Sequence, residues 1–441
     1  MCSKTNAQYY RGKLLKHINK NLHEEDFKSR NTYGCTGFIR DRILTFPITF
    51  LFITQLLQRS IQRELNSFFG KISDSDYSIQ KVTKGALTQA RAKLKYNGFI
   101  ELSDSSVEIF YTDAPYLAWD KHRVLACDGS TLQLPNSKSI AEEFGVSEFG
   151  PKADAKHSLA RISLVYDVFN LVTLNAKIAP FKTHETTLLK QQLTEIKFKE
   201  NDLLLLDRGY PSIALLYELQ QRKLDFCVRL KDNWWNEVNQ MLESGQTDKL
   251  ITFTLPKKDL ELQAKFNTSH HTVSARLVVI ELENGIKEIL CTSLIDDSYT
   301  LEDLKWLYHK RWNIEEAYKL FKQRANIESF SGKTALSVKQ DFYAAIFMMN
   351  MCAIMSFPIE QKVREQSKQN PHQHPKQINR TNALALMNES IVGVFVKKKI
   401  KNFLKTLDHI LHKTIEIVRP NRKEPRNHKI KKPKPMNYKI L

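Results

Sequence analysis

The chain has 441 residues, a length that suits about two to four domains. Lys and Arg number 67 against 48 Asp and Glu, and the net charge of +19 points to a polyanionic partner, either nucleic acid or an anionic membrane. Hydrophobic residues at 42% and charged residues at 26% exclude wholesale disorder.

The N-terminus, MCSKTNAQYYRGK, lacks the apolar core of a secretory signal. Six scattered cysteines without a C-x-x-C pair argue against a disulfide framework and a zinc site, so a cytoplasmic location is expected. Residues 1–117 read as mostly helical. One helix is predicted over 48–68, with Pro47 at its entrance, and another over 83–97, with Thr83 as N-cap. Between 78 and 100 stand Lys81, Lys84, Arg91, Lys93 and Lys95 with no acid. A basic helix here suits a DNA groove, and a solvated charged face suits the same pattern.

From 118 onward strands alternate with helices, the rhythm of an α/β sheet. RVLACD (123–128) is a short apolar strand. RISLVYDVF (161–169) and LVTLNAKIA (171–179) form an antiparallel pair around Asn170, followed by a helix over 185–196. DLLLLD (202–207) is a buried strand, Pro211 opens a helix through Arg222, and DFCVRLK (225–231) is a further strand. Residues 232–298 read as a β insertion containing KLITFTL, DLELQAKF and a hairpin at Asn284-Gly285. Helices resume at 301–325 and 335–357. The longest apolar stretches, 46–57 and 344–357, fall short of the ~20 residues of a membrane span, and the second contains Asn350. Residues 366–380 read as a linker in which His372-x-His374 is a weak metal pattern and a solvated loop the simpler reading. Residues 381–417 return to helix, and 418–439 form a flexible basic tail suited to phosphates.

Three carboxylates stand out. Asp128 and Asp207 each end an apolar strand, and sites in open α/β sheets are built at C-terminal strand ends. Taken singly, each is also an ordinary turn residue. The third is Glu315, on TLEDLKWLYHKRWNIEEAYKLFKQR. On a wheel of 100° per residue, Tyr308, Arg311, Glu315 and Lys322 fall within about 60°. Trp306, Leu307, Ile314, Ala317, Leu320 and Phe321 occupy another arc, which faces a core. The wheel alone equally describes a solvated face laced by i,i+4 ion pairs. Three converging carboxylates would repel one another without cations among them, and an oxygen-only ligand set suits two Mg²⁺ or Mn²⁺ ions serving phosphoryl transfer.

Tyr308-x2-Arg311-x3-Glu315-x6-Lys322 resembles the Y-x2-R-x3-E-x6-K signature of DDE transposases of bacterial insertion sequences. ACDGSTLQLP around Asp128 and LLLLDRGYPS around Asp207 resemble that family too, and the similarity covers roughly 118–357. The resemblance implies an RNase H-like core, a mixed sheet flanked by helices and interrupted by the β insertion. The core would occupy 118–231 and 299–357, the insertion 232–298, a helical DNA-binding region 1–117, and a linker, helices and basic tail 358–441. It implies Asp128, Asp207 and Glu315 as the metal-binding catalytic triad, and Tyr308, Arg311 and Lys322 as a grip on DNA. Arg208, Lys84, Arg91 and Lys93 are further expected DNA contacts.

The implied activity is metal-dependent cleavage at element ends and strand transfer into target DNA. The implied partners are terminal inverted repeats, target DNA and a second copy in a synaptic dimer, with no membrane. Some relatives carry a base-stacking Trp late in the insertion, where this chain has Glu288. Trp234 and Trp235, at the insertion's start, are candidates for that stacking or for a structural role. Two other readings are an RNase H-like endonuclease without strand transfer and a domesticated DNA-binding protein.

Overall fold

The computed structural model describes residues 4–34, 37–40, 42–57, 59–148, 156–232, 235–282, 285–369 and 374–418. The first 117 residues are helical: α1 (Lys4–His23), α2 (Phe46–Thr54), α3 (Ile61–Ile72), α4 (Lys84–Arg91) and α5 (Asn97–Asp113), with a short helix at Glu25–Arg30. The single helix expected over 48–68 is two. Thr45 caps α2 by accepting the Ile48 N–H at 3.4 Å, and the chain leaves the helix at Gln55. There the Leu56 N–H donates to Asn388 Oδ1 at 2.7 Å, so a partner far along the chain takes over a bond that a helix would have supplied. α4 starts as expected, with Thr83 accepting the Ala86 N–H at 3.2 Å, but it stops at Arg91. Residues 93–95 pair instead with 31–33, through Tyr33 N–H to Lys93 O (2.8 Å) and Lys95 N–H to Asn31 O (2.9 Å).

Eight strands form one mixed sheet: β1 (Arg123–Gln133), β2 (Leu159–Asp167), β3 (Val172–Pro180), β4 (Asp202–Leu206), β5 (Asp225–Leu230), β6 (Asp248–Thr254), β7 (Thr272–Glu281) and β8 (Lys287–Thr292). Their order is β3-β2-β1-β4-β5-β8-β7-β6. β1, β4 and β5 run parallel, and every other neighbouring pair is antiparallel. The parallel crossovers pass through α6 (Glu185–Glu195) and α7 (Ile213–Gln221). The first five strands, in the order third, second, first, fourth, fifth, give the RNase H-like topology. The β2–β3 turn falls at Asn170, where Asp167 Oδ1 accepts the N–H groups of Phe169 (2.9 Å) and Asn170 (2.8 Å).

The insertion is not a separate sheet, because β6–β8 continue the main one beyond β5. DLELQAKF, expected as a strand, is a 3₁₀ turn at Lys257–Asp259 followed by a helix at Glu261–Lys265. The pairing of β6 with β7 closes at Leu255 N–H to His271 O (2.7 Å), which leaves the intervening residues without a partner strand. Their Glu, Gln and Lys then follow helical preference. Gly285 takes φ +74° in the β7–β8 hairpin, and Asn284 lies outside the described residues.

Further helices lie at Lys138–Phe144 and Asn236–Ser244, and after the sheet come α8 (Leu301–His309), α9 (Asn313–Lys319), α10 (Ala335–Lys368), α11 (Arg380–Ile391) and α12 (Ile400–Lys413). α10 is long and apolar enough to cross a membrane, and 83% of its apolar window is buried inside the molecule. Asn350, in its middle, bonds both backbone groups of Thr173 (2.8 Å each) and Ser103 Oγ (2.9 Å), pinning α10 to β3 and α5. The linker expected over 366–380 is structured at both ends. α10 runs to Lys368, and Lys376–Ile378 pairs with Ile415–Ile417. His372 and the basic tail from 419 lie outside the described residues. One hydrophobic cluster runs from Tyr10 through a face of the sheet to Leu411, and a second covers the other face.

Candidate active site

Strand parity builds the acidic centre. Val124, Ala126, Leu203 and Leu205 face the first cluster, while Leu125, Cys127, Leu204 and Leu206 face the second. Side chains alternate along a strand, so Asp128 and Asp207 both fall on the first face. The β1–β4 register pairs Cys127 with Leu206, so the two aspartates stand level, one residue further on, on strands about 4.8 Å apart. Asp128 does not end its strand as expected. β1 runs on to Gln133 because β2 continues to pair with it, with Asp128 opposite Leu164. Asp207 does follow the last residue of β4 and opens a turn closed by Tyr210 N–H to Asp207 O at 3.1 Å.

Glu315 comes from a rod laid over this face. Thr300 and Asp303 form a capping box that starts α8. The rod then tightens to a 3₁₀ turn at Lys310–Trp312, continues as α9 and loosens to a π-turn at Leu320–Arg324. The uniform wheel therefore needs correction. Tyr308 and Arg311 are not on a solvated face, being 2% and 6% exposed, because that side of the rod faces the sheet. Trp306, assigned to the core arc, is 45% exposed and stacks on Phe169 at the β2–β3 turn, with the Lys310 ammonium 4.3 Å from its ring. Lys322, on the π-turn, donates to Ser130 Oγ (2.8 Å) and Thr131 O (2.7 Å), and Tyr318 OH donates to Asp128 O at 2.8 Å. These bonds seat the rod on β1.

Arg311 stands among the carboxylates. Its Nη2 donates to Glu315 Oε1 at 3.2 Å. Burial works against its charge, yet Tyr308, Asp207, Asp128 and Glu315 hold its pKa above the usual value. The Asp128 carboxyl is pushed up to about 6. Burial is the main cause, Glu185 and Glu315 add to it, and Arg311 and the Gly129 N–H oppose it. Burial likewise raises the Tyr308 phenol. The Tyr308 hydroxyl and Arg311 Nε are buried without a hydrogen-bond partner, two donors side by side that lack an acceptor.

Carboxylate oxygens alone suit a hard divalent cation, and the negative charge gathered here is of the right sign and size. Among the described residues no three Asp, Glu, His or Cys side chains are drawn together tightly enough to hold a metal, and the cation among these carboxylates is Arg311. The donor chemistry fits such an ion, and the present spacing is one set around a guanidinium.

The other expected contacts are dispersed. Arg208 is exposed in the turn after Asp207. Lys84 is exposed at the start of α4 and Lys93 is half-buried beyond its end. Arg91 is a correction. It is 6% exposed and donates to Gln340 Oε1 (2.9 Å), Ser331 Oγ (2.7 Å) and Asp341 Oδ1 (3.0 Å), so it locks α4 to α10 and is buried away from the surface. Glu288, at the position of the expected Trp, pairs with Arg229 at 3.2 Å. Trp235 packs edge-on to Phe253 at 4.8 Å and is half-buried, which fits the structural role, and Trp234 lies outside the described residues. Sequence reasoning missed Glu185, whose only signal was the glycine after Asp128, and Trp312, 44% exposed in the 3₁₀ turn between Arg311 and Glu315.

Fold and site together define an RNase H-like protein with an acidic centre on adjacent strands, crossed by a helical rod. The chain belongs to the Transposase DDE domain family, whose profile matches residues 119–351, more than half of its length. It is 25% identical over 193 residues to the putative transposase InsZ of Escherichia coli (strain K12), covering 42% of this chain and 61% of that one. It is 23% identical over 277 residues to the transposase InsG for insertion sequence element IS4 of the same organism, covering 61% and 60%. The chain thus spans about three-fifths of the length of these curated relatives. A solved piggyBac transposase synaptic complex with hairpin DNA aligns over 93% of this chain and 87% of that one, with a TM-score of 0.48 and 11% identity.

Proposed function

We propose that this protein is a DNA transposase that cleaves strands at element ends and joins them to target DNA, acting in the cytoplasm on nucleoid DNA. The observation that carries this reading is the placing of Asp128 and Asp207 level on adjacent parallel strands, with Glu315 presented over the same face. Asp128, Asp207 and Glu315 would hold two divalent ions, Mg²⁺ or Mn²⁺. Such ions, when bound, polarise the scissile phosphate and activate a water or 3′-hydroxyl.

The chain's own residues do the positioning. The two unsatisfied buried donors, on Tyr308 and Arg311, suit the oxygens of a DNA phosphate, and Arg311 can exchange its carboxylate neighbours for that phosphate. Lys322 fixes the rod against β1, keeping Glu315 over the aspartates. Arg208 offers a charge at the mouth of the site. In the N-terminal region a cavity of about 500 Å³ is lined by Arg40, Arg42 and Lys93 beside α4, which supports a second contact with DNA ends there, together with Lys84. Two copies paired across two element ends complete the proposal.

The test is cleavage of end-bearing DNA with and without Mg²⁺, followed by joining of pre-cleaved ends to a plasmid. Asp128→Asn, Asp207→Asn and Glu315→Gln are each expected to abolish cleavage while DNA binding survives. Wild-type cutting by any of the three would sink the assignment. Cleavage without joining would instead favour an endonuclease.

A further inference from the structure

α12 has two unlike faces. Phe403, Leu404, Leu407 and Leu411 are buried in the first hydrophobic cluster, so its apolar side is taken up by the core. On the other side Lys401, Lys405, His409 and Lys413 stand exposed at intervals of four residues. Residues four apart are neighbours on a helix surface, so these bases form one ladder. Its length is about 18 Å, from a rise of ~1.5 Å per residue. Lys398 and Lys399 are exposed just ahead of the helix.

The ladder carries no acid. Asp408 is the one acid in α12, and Arg11 donates to both its oxygens. Among the described residues no carboxylate pairs with Lys401, Lys405 or Lys413. Like charges four residues apart weaken a helix. Elsewhere the protein mixes its signs: on α8 Lys305 lies 3.7 Å from Glu302, and on α9 Lys319 pairs with Glu316. A face that served only to solvate α12 would gain from the same mixture.

A row of cations without counter-ions, held on a packed helix, suits a row of anions. One strand of duplex DNA presents a phosphate every ~3.4 Å along its axis, about five over the length of the ladder. Lysine ammoniums meet phosphates as point charges. An anionic membrane fits less well. A helix that lies on a bilayer sinks its apolar face into the lipid, and that face of α12 is already in the core.

We propose that the exposed face of α12 is a further DNA surface, which grips the duplex backbone without reading its sequence. This rests on the reading of the chain as a DNA transposase.

The test uses the full chain and a short labelled duplex of arbitrary sequence, with binding followed by fluorescence anisotropy over a range of salt. The triple variant Lys401→Gln, Lys405→Gln, Lys413→Gln is compared with wild type. A matched triple variant, Lys190→Gln, Lys197→Gln, Lys223→Gln, removes the same charge from exposed positions on or just after α6 and α7. The α12 variant is expected to lower the salt slope by about three and to weaken binding by about tenfold or more. The matched variant is expected to stay close to wild type. Lys405→Gln alone, expected to lower the slope by about one, serves if the triple variant folds poorly. Equal slopes in wild type and the α12 variants, or equal losses in the two triple variants, overturn the surface. So does a loss confined to vesicles of phosphatidylglycerol and phosphatidylcholine, which assigns the face to a membrane. Absence of duplex binding by wild type overturns the transposase reading and this inference with it.

Discussion

An ionised Asp128 is held at a cost to the fold. Its carboxyl is pushed up to about 6, chiefly by burial, against ~3.9 in an unfolded chain. Between these values the folded state binds the proton more tightly, so stability falls as pH rises from about 4 through 6. Asp128→Asn is therefore expected to raise metal-free stability by about 1–3 kcal/mol at pH 7.5. Denaturant titrations should show the gain closing as pH falls through 6 toward 4, and a gain independent of pH would contradict the argument. Arg311 carries the opposite charge in the same place. Arg311→Ala should weaken DNA-end binding and lower the salt slope by about one, checked by titrating binding against salt. Loss of binding with an unchanged slope would remove Arg311 from the phosphate contacts.

At the scale of elements, what could be read from the sequence depended on local physics. The strand leading into Asp207, the β2–β3 hairpin and the Thr83 cap were legible, because apolar runs, turn residues and capping hydroxyls act over a few positions. The rod was legible in outline, since its four signature residues share a side. Its 3₁₀ and π turns were not, because a wheel assumes one pitch and the sheet beneath imposes others. The break between α2 and α3 and the end of α4 were decided by partners at 388 and at 31–33, beyond any local window. Asn350 shows how much one such partner matters. Asn350→Leu would strip Thr173 of both bonds in a buried setting, at a cost of about 2–4 kcal/mol, measured as a fall in the urea midpoint. A change under half a kcal/mol would mean that water or a shifted β3 replaces those bonds.

For the whole molecule, the first and last of the described helices, α1 and α12, meet over α10. Arg11 on α1 donates to both oxygens of Asp408 on α12 (2.6 and 3.0 Å) and to Met355 O on α10 (3.1 Å). Arg11→Ala is expected to destabilise the protein by about 2–4 kcal/mol, and Arg11→Lys is expected to recover little, because an ammonium cannot make the forked pair. Thermal unfolding of the two variants checks both. The family match covers 119–351, while the first hydrophobic cluster runs from Tyr10 to Leu411, so the terminal helices share the core of the matched region.

The sequence by itself determined the charge, the alternation of strand and helix, and the candidates Asp128, Asp207 and Glu315, because net charge, periodicity and motif spacing are written along the chain. Only the tertiary structure decided that Arg91 is a buried lock, that Arg311 lies among the acids and that Glu185 fills the space beside Gly129. Those outcomes depend on which surfaces meet, and contacts between residues far apart along the chain leave no local pattern.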